Sequence, residues 1–367
     1  MRRERGKEGD MGWHGAVGAR VDRRGFLRAA AGGVVGSTIL DLRALSWAQQ
    51  ALVVKTFTGL WNQGNREHVA NPFEKKTGAK VTLVAINSVE AVARLKASRG
   101  RPPFDVLLVD EGPRNQAITE GLLQPMPLEK IPNAREVYPE LQVKDGYGPR
   151  ESCSVMGIAY DPKRVAPPQS WADLWSPAYK GKLALNPASA TLGTAFLVVA
   201  ARLNGGSEKQ IEPGFQAIKR LLPSVVSIPK TPAVLATLLE RGEVAVAPLW
   251  NTNTLNLKAK GVSVDWVVPK EGAIGAFGHA EIARGASNVD LALQYIDQHL
   301  SVESQTGMAN SPYFAGPVNR RVRLQPEVAR FVPASPEAVQ KLQLFDWNLI
   351  NEGRDAWLDR WDREIVL

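Results

Sequence analysis

Cysteine is all but absent from this sequence. Cys153 stands alone, so the chain can form no internal disulfide, no CxxC redox pair and no cysteine-built zinc site. It reads as a small buried apolar residue. Histidine is scarce too: His14, His68, His279 and His299 lie far apart, with no HExxH spacing. Neither a GxSxG elbow nor a GxxxxGK[ST] phosphate loop occurs. These absences leave no metal site, no cofactor and no catalytic set to expect, and an enzyme is not expected. No block of about five or six basic residues is present, so nucleic acid is not an expected partner. No apolar run reaches the roughly 20 residues that span a bilayer.

What is present is an ordinary globular composition, with 44% apolar and 22% charged residues over 367 positions. That length suggests two or three domains at about 100–200 residues each. The formal net charge is +8. Residues 1–48 hold nine Lys/Arg against five acids, so half of the basic excess lies there. Within this segment Asp22-Arg23-Arg24-Gly25-Phe26-Leu27-Arg28 precedes a mild apolar stretch, Ala29 to Leu40, too short and too glycine-rich to be an anchor. Ser46-Trp47-Ala48 then places small residues three and one before a cut after Ala48. The arrangement resembles a twin-arginine export signal, which carries chains already folded. It implies a mature protein working in the periplasm.

Beyond residue 48, strand-like and helix-like segments alternate. Leu52–Phe57, Lys80–Val84 and Phe104–Val109 read as strands, and helical patterns follow at Arg66–Lys76, after Ser88 and near Asn115–Glu120. Ser88 is in the position of a helix cap. The order βαβαβα predicts a parallel sheet covered by helices on both faces, an α/β fold. Ser154–Tyr160 opens a second such unit, with a helix at Thr194–Leu203. Ala280–Ala283 returns as a strand before a helical C-terminal part. The two units read as interleaved, with the chain crossing near 155 and back near 283. No internal repeat is found.

Several segments resemble a known family. Asn71-Pro72-Phe73-Glu74-Lys75-Lys76-Thr77-Gly78-Ala79-Lys80-Val81 is similar to the first helix and second strand of ABC-transporter solute-binding proteins. Phe104–Asp110, with Glu120-Gly121-Leu122-Leu123, resembles the strand before their first ligand loop. Gly157–Asp161 resembles their crossover strand, and Ser170–Trp175 with Tyr179–Leu183 the opening of their second lobe. Tyr313–Asn319 is similar to a late loop facing the cleft. The nearest branch is the polyamine, iron and thiamine-like group, which includes spermidine/putrescine-like binders. The resemblance covers about residues 50–330 and implies a two-lobed periplasmic-binding-protein-like fold. Each lobe is a mixed, mostly parallel sheet flanked by helices, and two strands form the hinge. The boundaries expected are 1–48 for the signal peptide, 49–155 plus 284–367 for lobe 1, and 156–283 for lobe 2. The implied function is capture of a small polar or charged solute and its delivery to an ABC permease in the inner membrane, by a monomer. A sensor component for a membrane receptor is the alternative, and a periplasmic enzyme on the same scaffold a weaker one.

Ligands of open α/β sheets sit at the carboxyl ends of strands. Thr58 and Trp61 follow the first strand; Trp61 stands in a polar stretch read as a turn (Asn62, Gln63, Gly64, Asn65) and either lines the cleft or packs a lobe. Asp110 and Glu111 end the third; adjacent side chains diverge, and Asp110 is the favoured cleft residue, the alternative being an acid at a helix start. Ser189 and Thr191 enter a helix and either meet an anion or cap it. Trp250 and Asn251 offer an aromatic wall and an amide. Tyr160 and Tyr313 serve either cleft or hinge. Polyamine binders of this type carry acids in the second lobe, whereas this chain has Ser189, Thr191 and Gly278 at those loops, and a polyamine is disfavoured. A small anion or zwitterion is expected instead, its negative end at Ser189 and Thr191 and its ammonium at Asp110.

Overall fold

The β-branched runs and the amphipathic stretches between them form the alternating elements expected. The computed structural model describes residues 51–333 and 335–365. The expected export segment and its cut near Ala48 lie outside the described residues. The first half runs β1 (Ala51–Thr56), α1 (Leu60–Asn65), a wider helical turn at Arg66–Ala70, α2 (Asn71–Thr77), β2 (Lys80–Ala85), α3 (Ser88–Ala97), β3 (Val106–Asp110) and α4 (Glu111–Thr119). Strand β4 (Arg150–Tyr160) leads into the second half, with β5 (Leu183–Ala184), α5 (Thr191–Leu203), α6 (Glu212–Leu221), β6 (Val225–Ser227), α7 (Pro232–Glu240), β7 (Val246–Trp250), α8 (Asn251–Ala259) and β8 (Asp265–Val267). Strand β9 (Ile274–Ile282) returns. Then come α9 (Val289–His299), α10 (Val302–Ala309), the short α11 (Pro326–Ala329) and α12 (Pro336–Gln340), and α13 (Trp347–Glu364).

The strands form a nine-stranded sheet in the order β2-β1-β3-β9-β4-β7-β5-β6, with β8 also on β4. Pairing is parallel within β2-β1-β3 and within β7-β5-β6. It is antiparallel around β4 and β9. Each of these two long strands serves both halves. Arg150–Met156 pairs with Ile274–His279, while the rest of β4 pairs with β7 and the rest of β9 with β3. The mutual pairing of β4 and β9 is thus where the chain passes between halves.

Three local expectations need correction. The polar run Asn62–Asn65, read as a turn, is helix α1, because Gly64 and Asn65 are buried and Gly64 packs on Met308 and Tyr313. Gly59, at φ 68°, makes the break one turn earlier. Ser88 does not cap α3: Asn87 does, its side chain accepting from the Glu90 N–H at 2.8 Å. Helix α5 begins at Thr191, before Thr194. It is apolar on all sides and buried from Leu192 to Ala201, as a helix sunk between other elements must be.

Helix α13 touches both halves. Asn351 donates to the Gly112 carbonyl of α4 at 2.8 Å. Farther along, Trp361 lies against Phe215 of α6, and Glu364 pairs with Lys219 at 2.6 Å.

Candidate functional site

The carboxyl ends of β1, β3 and β7 converge on a cavity of about 460 Å³. Phe57, Thr58 and Trp61 come from the end of β1 and the start of α1, and Asn87 and Ser88 from the start of α3. Asp110 ends β3. Opposite stand Thr191 of α5, Pro232 of α7, and Trp250, Thr252 and Asn253 at the β7–α8 junction. Ser152, Ser154, Ala276, Phe277 and Gly278 of β4 and β9 close the floor. Asp110 is the one charged residue in this lining. An adjoining cavity of about 260 Å³ shares Asp110, Thr191 and Phe277 and adds Glu111, Ser189, Trp347 and Arg354.

The structure therefore brings Thr58, Trp61, Asp110, Thr191 and Trp250 to one cavity, and Glu111 and Ser189 to its neighbour. Three expected residues are elsewhere. Asn251 is fully buried, and its Oδ1 accepts from the Val155 N–H at 3.0 Å, tying α8 to β4. Its neighbours Thr252 and Asn253 line the cavity in its place. Tyr160 ends β4 within the core, opposite Val246 and Asp265. Tyr313 donates from its hydroxyl to Glu67 at 2.6 Å and packs edge-on against His68, so it joins a late loop to the first helical segment.

The polar groups of the floor are held by short contacts. Ser88 Oγ donates to Asp110 Oδ2 at 2.7 Å, and the Asp110 N–H donates back to Ser88 Oγ at 3.2 Å. Lys55, fully buried on β1, donates to the Leu108 carbonyl at 2.6 Å and to Ser88 Oγ at 3.3 Å. Burial pulls its pKa down to about 8, against the pull of Asp110 and Glu151. Glu151, equally buried on β4, is pushed up to about 7 by desolvation. Glu111, which opens α4, lies below the usual carboxylate range: burial raises it, and His279 and Arg150 outweigh that. Arg150 donates to Glu111 at 2.8 Å and stacks 4.2 Å from the Phe277 ring. His279 stands 3.6 Å from Glu111, beyond hydrogen-bond distance, and burial drives it down to about 4.

Sequence reasoning missed Lys55, Ser88, Glu151 and Phe277. Lys55 sits in the run read as a strand and Phe57 just past its end at Thr56, and the strand-end position was the available signal. The place of Glu151 and Phe277 depends on the register of β4 against β9, where Cys153 faces Phe277 and Ser154 faces Ala276. No local pattern encodes that pairing.

Residues 101–351 match the family of bacterial extracellular solute-binding proteins. The chain belongs to this family. This solute-binding protein is 28% identical over 296 residues to the spermidine/putrescine-binding periplasmic protein of Escherichia coli (strain K12), covering 76% of this chain and 82% of that one. To the putrescine-binding periplasmic protein PotF of the same organism it is 25% identical over 280 residues, covering 67% and 73%. Among solved structures, an ABC transporter from Clostridium perfringens ATCC 13124 matches with a TM-score of 0.75 at 30% identity, over 86% of this chain and all of that one. The solute-binding protein thus has the periplasmic-binding-protein-like α/β fold, and its named relatives are periplasmic. Among the described residues no helix is long and apolar enough to cross a membrane, and no cluster of three or more His, Cys, Asp or Glu is placed to hold a metal.

Proposed function

We propose that this solute-binding protein captures a small solute carrying an amine in the 460 Å³ cavity and delivers it to the permease of an ABC importer, acting in the periplasm as a monomer and without turnover. The carrying observation is the lining itself: Asp110 is its one charged residue, and Phe57, Trp61, Trp250 and Phe277 supply aromatic rings around it. A carboxylate among aromatic faces suits an ammonium group, and the volume suits a small molecule. Thr58, Ser154, Thr191, Thr252 and Asn253 supply hydroxyls and an amide to orient the rest of the solute.

This reading revises the expectation of a simple anion, for which the main cavity offers no basic side chain. It keeps the expectation against a polyamine, because the wall from Thr191 to Asn253 offers no second acid. A zwitterion is the second reading, favoured by Arg354. That arginine lines the adjoining cavity beside Ser189, is in no ion pair among the described residues, and lies 3.5 Å from the Ser189 carbonyl. Delivery through the twin-arginine route completes the proposal.

Calorimetry with amines, amino acids and carboxylic acids tests it. Asp110→Asn should weaken an amine by about 10- to 100-fold, the scale of a charge-assisted hydrogen bond. Trp61→Ala or Trp250→Ala should cost about tenfold if their rings face the solute. Binding of carboxylic acids alone, untouched by Asp110→Asn, would sink the amine reading.

A further inference from the structure

Under the cavity floor lie two buried charged side chains, Lys55 and Glu151, that the lining does not display. The ammonium of Lys55 is fully buried, 4.2 Å from the centroid of Phe57, whose ring lines the cavity. Through Ser88 it is joined to Asp110. Glu151 is fully buried too. Its Oε1 accepts from Ser152 Oγ at 2.7 Å, and Ser152 also lines the cavity. Its Oε2 has no hydrogen-bond partner among the described residues, and the nearest cation candidate, His299 Nε2 at 3.5 Å, already faces Asn65 Oδ1 at 3.0 Å. Burial drives His299 down to about 4, so it is neutral at pH 7 and brings no charge. Asp110 and Glu151 are the acids whose charges reach Lys55.

Beneath the main cavity two carboxylates face one ammonium, which leaves no more than one uncompensated negative charge when Glu151 is ionised; Arg354, whose charge also reaches Asp110, stands in the adjoining cavity. In a desolvated floor, Coulomb energies are several times those in water, so an unmatched charge of either sign is costly. We propose that Lys55 is a specificity-determining residue: it cancels one of the two carboxylates from inside, so the floor accepts one positive charge from the solute and rejects a second. This rests on the amine reading above and names the solute class more closely, as a compound presenting a single ammonium at its buried end. The facing wall agrees, since Thr191, Pro232, Trp250, Thr252 and Asn253 offer no acid to a second ammonium.

A matched four-carbon series tests the proposal by calorimetry and thermal shift on the full chain: butylamine, 4-aminobutanoate, 1,4-diaminobutane and butanoate. In the wild type, butylamine or 4-aminobutanoate should bind at least about tenfold more tightly than 1,4-diaminobutane. Lys55→Met should shift that order toward 1,4-diaminobutane, by about tenfold or more once pH is high enough to ionise Glu151, which burial raises to about 7 and which loses the lowering influence of Lys55 in this variant. Adding Glu151→Gln to Lys55→Met should restore the wild-type order. A merely structural Lys55 would weaken all probes alike, with neither shift nor restoration. If Lys55→Met does not fold, Glu151→Gln alone decides: it should weaken every ammonium probe about tenfold, and unchanged affinity would overturn the proposal. The two readings fail differently. Amines that bind and depend on Asp110, with the diamine equal to or better than the monoamine in the wild type, would remove the Lys55 proposal alone. No response to any ammonium probe would remove both.

Discussion

The buried titratable side chains set the behaviour of single residues in this protein. His299 lies between Asn65 and Glu151 and is held near 4, below its ordinary 6.5, by burial. Between those two values the unfolded chain binds a proton that the folded chain refuses. The stability contributed by neutral His299 is therefore complete above about 6.5 and is lost as pH falls toward and through 4. Glu151, raised to about 7 by burial, acts in the opposite sense and loses stability as pH rises. A difference measurement separates them. The unfolding free-energy gap between wild type and His299→Gln should shrink by about 2 kcal/mol from pH 7 to pH 5 in denaturant titrations. A constant gap would mean that His299 is not held neutral. Residue-scale legibility was uneven for a physical reason. Thr58, Trp61, Asp110, Thr191 and Trp250 follow strand ends or open helices, where topology alone aims them at the cavity. Asn251, Tyr160 and Tyr313 share that company in sequence, but their side chains are claimed by Val155, the core and Glu67.

Among the elements, β4 and β9 govern how the halves can move. The antiparallel pairing of Arg150–Met156 with Ile274–His279 is the shared backbone connection, and it also forms the cavity floor. A bend there changes the distance between Trp61 and Trp250 while each half keeps its own packing. We propose this pair as the hinge between a first half, 49–155 with 284–367, and a second, 156–283. Helix α13 adds a constraint, because Asn351 holds Gly112 while Trp361 packs on Phe215. Opening must therefore pivot or release one end of that helix. Small-angle scattering should register a smaller radius of gyration when a confirmed solute is added, and the melting temperature should rise by mass action. An unchanged radius with saturated solute would count against the hinge. The alternation of strands and helices was legible from period and turn residues, whereas the reach of α13 onto both halves was not. Its apolar positions announce a buried face without naming what covers it.

For the whole molecule, the +8 balance divides between residues 1–48 and the remainder, so charge carries little information about the partner. The export proposal is tested at this scale. Replacing Arg23 and Arg24 together by lysine should leave the chain in the cytoplasmic fraction, and an undiminished periplasmic fraction would exclude the twin-arginine route. The sequence by itself determined the α/β class, the alternation of elements and the family, because these follow from local periodicity and from motifs a few residues long. It also pointed to the carboxyl ends of β1, β3 and β7, where the candidate cavity lies. Only the tertiary structure decided which side chains share that site. It did so by fixing the register of β4 on β9, which sets Phe277 in the cavity lining and Glu151 beneath it, and by burying Lys55 against Ser88, which joins it to Asp110. Those contacts join residues up to about a hundred positions apart or more, and charge compensation in a dry interior depends on such distances.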